Sequence, residues 1–174
     1  GVAGGLVNTG LPLGIIPVGT GNVMARDLDI PLNVEAAIDL ILSSTKTIEI
    51  DAMQVDDRFY FMNITTGVTA EAIRTTDHES KQRIGRLAYI LEGAGHLLGF
   101  QPHRFDINVD GVEARLRASE ILIINSHAVG APYISWGQQV CINDGILNLA
   151  IIRGRTLGEY FQILWDLIWQ DQRQ

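Results

Sequence analysis

The sequence predicts an α+β fold: the end of an α/β layer over residues 1–44, then a mainly antiparallel β-sandwich with two helices over residues 45–174. The hydrophobic period changes from helical to two near Thr45. Before that switch, a short apolar run meets Gly19-Thr20-Gly21-Asn22 and then a helical pattern. After it, Asp110-Gly111 joins two alternating runs.

Residues 1–9 read as the end of a helix, stopped by Gly10 and Pro12. Leu13 to Val18 is an apolar run between turn residues, the pattern of a strand buried on both faces. A helix follows from Val23 to Leu28, closed by Ile30-Pro31. Asn33 then caps a second helix, whose stripe is Val34, Ala37, Ile38, Ile41 and Leu42. Ile48, Ile50 and Ala52 alternate with Glu49, Asp51 and Met53, and Asp56-Asp57 turns the chain into Phe59 to Ile64. Phe105, Ile107 and Val109 alternate up to Asp110-Gly111, and Val112, Ala114 and Leu116 after it. Asp-Gly supplies the positive φ angles of a type I′ hairpin turn. Ile121 to Ile124 reads as a buried strand, and Val140 to Ile152 as a hairpin-like run broken at Asn143-Asp144-Gly145. The two sandwich helices are expected from about Arg83 to Leu98, and from the capping box Thr156–Glu159 through Ile168.

Composition narrows the function. Hydrophobic residues make up 47% and charged residues 19% of 174, and mean hydropathy is +0.15, which is globular rather than disordered. A net charge of −7 argues against sequence-independent nucleic-acid binding, which needs clustered cations to displace counterions. The single cysteine, Cys141, forms no intrachain disulfide and suits a reducing, cytoplasmic compartment. No run of 18 apolar residues is present to span a bilayer. The chain opens on Gly1-Val2-Ala3-Gly4-Gly5, with neither an initiator Met nor a signal-peptide pattern, and is expected to be a piece of a longer protein that starts inside a helix.

The turn Gly19-Thr20-Gly21-Asn22 brings backbone N–H groups and a helix start around one small space, with a hydroxyl and an amide beside them. That arrangement suits a phosphate. The plain alternative is a tight turn with no ligand. A dinucleotide fingerprint, Gly19-x-Gly21-x-x-x-Ala25, fits locally but fails on context: Asp39 falls within a helix and no βαβ units follow. Asn143-Asp144-Gly145 by itself reads as an Asx or type I′ turn. His78, His96, His103 and His127 lack metal-ligand spacing, and Ser126-His127 lacks a nucleophile-elbow context. Asp51 reads as supporting its strand, and Trp136, Trp165 and Trp169 as core or lipid-facing residues.

The stretch LGIIPVGTGNVMARDLDIP, Leu13 to Pro31, resembles a signature of the diacylglycerol kinase and sphingosine kinase catalytic family, in which a strand ending in P-x-G-T-x-N leads into a helix. Further matches follow in order: Ile48-x-Ile50-Asp51, Phe61-x-Asn63, Gly67, Lys81 to Tyr89, Ile124-Asn125, Gly130 and Asn143-Asp144-Gly145-x-Leu147. The resemblance implies phosphoryl transfer from ATP, with Mg²⁺, to a lipid alcohol of diacylglycerol or sphingoid type, with peripheral membrane contact. It assigns Thr20 to the nucleotide, with Gly19, Gly21 and Asn22 shaping the pocket. It assigns Asp144 to Mg²⁺, with main-chain oxygens from Cys141 and Ile146, and such a set of one carboxylate, carbonyls and waters suits that cation. Val23 departs from the pattern, where many members carry Asp. The family's G-G-D-G-T loop is expected upstream of Gly1 and its general base, the Glu of Asp-Gly-Glu, beyond residue 174. Within the chain no catalytic residue is therefore assigned. A non-catalytic sandwich module and an NAD kinase relative are the alternatives, and unpaired strand edges leave room for a homo-oligomer.

Overall fold

The computed structural model describes residues 1–19, 21–67, 102–128 and 140–154, together with residues 158, 159 and 162. Three short helices come first: α1 (Val2–Leu6), α2 (Val23–Asp27) and α3 (Val34–Ser43). Strands follow: β1 (Met53–Val55), β2 (Arg58–Tyr60), β3 (Ile64–Gly67), β4 (His103–Val109), β5 (Val112–Ala118), β6 (Glu120–Ile124) and β7 (Asn148–Ile152). They form the sheets β1-β2, β3-β6-β7 and β4-β5. The pairings β1–β2, β3–β6 and β4–β5 are antiparallel. The architecture is α+β, as the change of period implies. Within the described residues the chain forms two compact units, one drawing on Gly1–Asn63 and Ile124–Asn148, the other on Ile64–Ile123 and Leu149–Asp166.

In the first unit, α3 starts as its capping residue dictates: Asn33 Oδ1 accepts the Ala36 N–H at 2.9 Å. Its inner face is marked by the fully buried Ala37. The extended segment before α2 runs close to this helix, since a Cβ added at Gly14 would lie 3.0 Å from Ile41 Cδ1. α2 ends in a Schellman motif. Asp29 takes a left-handed φ of 52°, Ile30 N–H bonds the Ala25 carbonyl at 2.8 Å, and Asp29 N–H bonds the Arg26 carbonyl. Pro31 then prevents the helix from resuming.

Leu13–Val18 is not the doubly buried strand its composition suggests. A strand needs a ladder partner, and none of the described residues supplies one; Val18 N–H instead bonds back to the Ile16 carbonyl. Leu13, Ile16 and Val18 are accordingly exposed, Val18 to 79%, while Ile15 is half-buried and Pro17 buried. Residues 48–52 are also outside any strand; the Asp51 N–H bonds the Ile142 carbonyl at 2.7 Å without a ladder forming around it.

In the second unit, β4 and β5 pair from His103↔Ala118 to Val109↔Val112. Asp110 (φ 51°) and Gly111 (φ 85°) both take left-handed angles, the I′ turn expected of Asp-Gly, and Asn108 Oδ1 accepts the Gly111 N–H. β3 pairs with β6, the buried strand of the described part of this unit. Ile121 and Leu122 are buried there with Glu120, whose Oε1 accepts the Thr65 hydroxyl at 2.6 Å.

Val140–Ile152 does not form a hairpin. Its second half is β7, which lies beside β6; its first half follows Asp51 instead, so the two halves never pair with each other. The expected helix over 83–98 lies outside the described residues, as do Trp136, Trp165 and Trp169. Of the helix expected from Thr156, only Gly158, Glu159 and Gln162 are described, all helical.

Candidate functional site

The turn before α2 is held by its own asparagine. Asn22 has φ 46° and ψ 40°, and its Oδ1 accepts the Gly19 N–H at 2.8 Å instead of capping the helix. Gly19 leaves room for this, since an added Cβ would sit 3.2 Å from that oxygen. From one turn further along, Arg26 Nε donates to the Gly21 carbonyl at 3.1 Å. Gly19, Gly21 and Asn22 are therefore brought together as one closed loop at the start of a helix, with a guanidinium folded back onto it. Thr20 lies outside the described residues.

Behind the loop, α2 carries an acidic side chain inward. The Asp27 side chain is 0% exposed, and His127 Nδ1 lies 2.5 Å from its Oδ1. The two atoms are in close polar contact without hydrogen-bond alignment, and neither Asp27 oxygen has a hydrogen-bond partner among the described residues.

Residues that the motifs single out form a second constellation. Asn63 Oδ1 accepts the N–H groups of Asn125 and Ser126, at 3.0 and 2.9 Å, and its Nδ2 donates to the Ala128 carbonyl. Asn125, fully buried, donates through Nδ2 to the carbonyls of Phe61 and Asp51, at 2.9 and 3.2 Å. These two amides do the work of a sheet ladder where the backbone leaves regular pairing. Removing the second is costly: Asn125→Ala should strand two carbonyls and lower stability by about 3 kcal/mol, read from the urea midpoint at unchanged m-value.

Asp51 leads from this constellation to the proposed metal residues. Its Oδ2 accepts the Gly145 N–H at 2.7 Å, while Asp144 Oδ1 accepts the Ile146 N–H at 2.9 Å. Asp144 thus makes the Asx turn. The type I′ alternative is excluded, because of the two residues only Gly145, at φ 72°, has a positive angle. Cys141, Asp144 and Ile146 are exposed along one short loop. No group of three or more His, Cys, Asp or Glu residues with metal-binding geometry occurs among the described residues. One carboxylate with main-chain oxygens remains chemically suited to Mg²⁺, which keeps most of its waters. Asp51 is the residue that the sequence placed wrongly: it supports this loop rather than a strand. Its position in the Ile48-x-Ile50-Asp51 motif was the available signal.

The model of the diacylglycerol kinase catalytic domain matches residues 1–55, and that of the YegS C-terminal NAD kinase beta sandwich-like domain matches residues 62–168. The chain belongs to the YegS and diacylglycerol-kinase-like family. A probable lipid kinase YegS of Escherichia fergusonii is 35% identical over 147 residues, covering 82% of this chain and 47% of its own length. A YegS-like probable lipid kinase of Klebsiella pneumoniae is 32% identical over 163 residues, covering 90% and 53%. An uncharacterized protein of Synechocystis sp. is 30% identical over 167 residues, covering 96% and 38%. The chain therefore spans about half or less of the length of these curated relatives. A crystal structure of a putative diacylglycerol kinase from Bacillus anthracis shares the fold, with a TM-score of 0.68 at 20% identity over 91% of this chain and 52% of that one. The YegS-like division into an α/β part and a β-sandwich is the α+β organisation described above.

Proposed function

We propose that the full protein to which this chain belongs is an ATP-dependent lipid kinase. In this reading the γ-phosphoryl of ATP passes to the hydroxyl oxygen of a diacylglycerol- or sphingoid-like lipid. The bond to the β-phosphate oxygen breaks, ADP leaves, and the hydroxyl proton goes to a base outside residues 1–174. The observation that supports it best is the closed Gly19–Asn22 loop at the start of α2, inside the segment that matches the catalytic domain. The Gly19 N–H is taken up by Asn22 Oδ1, so the donors left for phosphate oxygens are the N–H groups that the first turn of α2 leaves without an intrahelical partner. Catalysis of this kind depends on positioning and charge neutralisation. Residues 1–44 are then the end of the nucleotide-binding domain, and residues 45–174 the second domain.

Gly19, Thr20, Gly21 and Asn22 would contact the nucleotide. Asp144, with the Cys141 and Ile146 carbonyls, would hold Mg²⁺, and Asp51 would keep that loop in place. When bound, Mg²⁺ supplies positive charge and a fixed hydration shell. The acceptor implies peripheral contact with a membrane from a cytoplasmic location; among the described residues no helix is long and apolar enough to cross one. The open apolar run before α2 would be covered by further chain or by a second copy.

The test uses full-length protein, γ-labelled ATP and diacylglycerol or sphingoid base in mixed micelles. Label should appear in the lipid only when Mg²⁺ is present, and residues 1–174 alone should transfer none above background. Transfer to NAD would identify an NAD kinase instead. ATP-independent lipid binding with no transfer would identify a binding module.

A further inference from the structure

We propose that Asp27 and His127 are a positioning pair, which holds α2 and the phosphate loop at its start in the geometry that binds nucleotide. The inference rests on the nucleotide reading of Gly19–Asn22. A carboxyl group with no exposed side-chain surface is costly to bury unless a polar partner compensates it, so burial at this point demands an explanation. The compensating group is His127 Nδ1, one hundred residues away in the chain and 43% exposed, so it covers Asp27 from the solvent side.

What the pair joins is specific. On one side Asp27 is the last residue of α2, whose first turn carries the Asn22 and Arg26 bonds to Gly19 and Gly21. A five-residue helix moves as one body, so fixing its end fixes its start. On the other side His127 follows Asn125 and Ser126 directly, both fastened by Asn63. The contact therefore ties the phosphate loop to a segment whose Asn125 and Ser126 N–H groups are held by Asn63. Core packing of an apolar residue at position 27 would stabilise α2 more cheaply. A close polar contact to the segment that Asn63 fastens instead sets where the end of α2 lies, and placement is what a phosphate-binding loop needs.

The test is ATP affinity and steady-state kinetics in the full-length protein carrying Asp27→Asn, His127→Ala, His127→Gln and the double variant Asp27→Asn/His127→Ala. His127→Ala leaves a buried carboxyl group alone and should raise both Kd and KM for ATP about tenfold or more, with kcat reduced less than threefold. The double variant should be no worse than His127→Ala, and His127→Gln, which keeps a donor, should recover most of the affinity. A structural role alone would lower Tm in His127→Ala and leave Kd and KM for ATP unchanged; that result overturns the pairing and leaves the nucleotide reading standing. If the unsubstituted protein binds no ATP, the nucleotide reading fails and the pairing with it. Should Asp27→Asn not fold, the comparison of His127→Ala with His127→Gln decides alone, because His127 is half-exposed: equal ATP affinity in the two overturns the proposal.

Discussion

Gly67→Ala is expected to be the most damaging single substitution in the described residues, lowering stability by about 4 kcal/mol, the sum of backbone strain and overpacking. Gly67 has φ 111°, a region that side chains disfavour, and an added Cβ would lie 2.1 Å from the Ser119 carbonyl oxygen and 3.0 Å from Glu120 Cα. Both obstacles are backbone, so no rotamer change relieves them. The position also sits at the end of β3, directly opposite Glu120 on β6, so the strain falls on the β3–β6 pair of the second unit. Chemical denaturation of protein with and without the change measures the loss. Gly145→Ala is the control: its φ is 72°, but no atom lies within 4 Å of the added Cβ, so only about 1 kcal/mol should be lost.

In the full-length protein, Asp144→Asn should leave the fold intact and weaken the binding of magnesium. The amide oxygen of Asn can accept the Ile146 N–H as Asp144 Oδ1 does, and Asp51 still holds Gly145. The melting temperature without metal should therefore barely move. Loss of the negative charge removes the strongest ligand of a hard cation, so the Mg²⁺ concentration for half-maximal rate should rise about tenfold or more, which is roughly 1.4 kcal/mol. An unchanged magnesium titration would leave Asp144 as a turn residue only.

The sequence disclosed what depends on local chemistry. Asn33 as a cap, the stop at Ile30-Pro31, the Asp110-Gly111 hairpin and the β6 run are each set by a few neighbouring residues, and each is present. It misplaced what depends on a distant partner. Leu13–Val18 has strand composition but no neighbour to pair with, and Asp51 is decided by Ile142, Asn125 and Gly145, far along the chain. At the candidate site, the motif residues were visible as types but not as contacts. The motif gives Asn63 and Asn125 no role, and the spacing of histidines says nothing about a buried aspartate elsewhere in the chain.

The Asp110-Gly111 hairpin also bears on the order in which the chain folds. β4 and β5 face each other across a two-residue loop and need no distant segment, so they should form within microseconds. β3 and β6 must instead find each other across everything between Gly67 and Glu120, and the hairpin lies inside that interval. Formed first, it shortens the free chain that remains to be closed and lowers the entropic barrier to the slower pairing. Substitutions that weaken the Asp-Gly turn should then slow refolding, while those at the β3–β6 junction should chiefly speed unfolding.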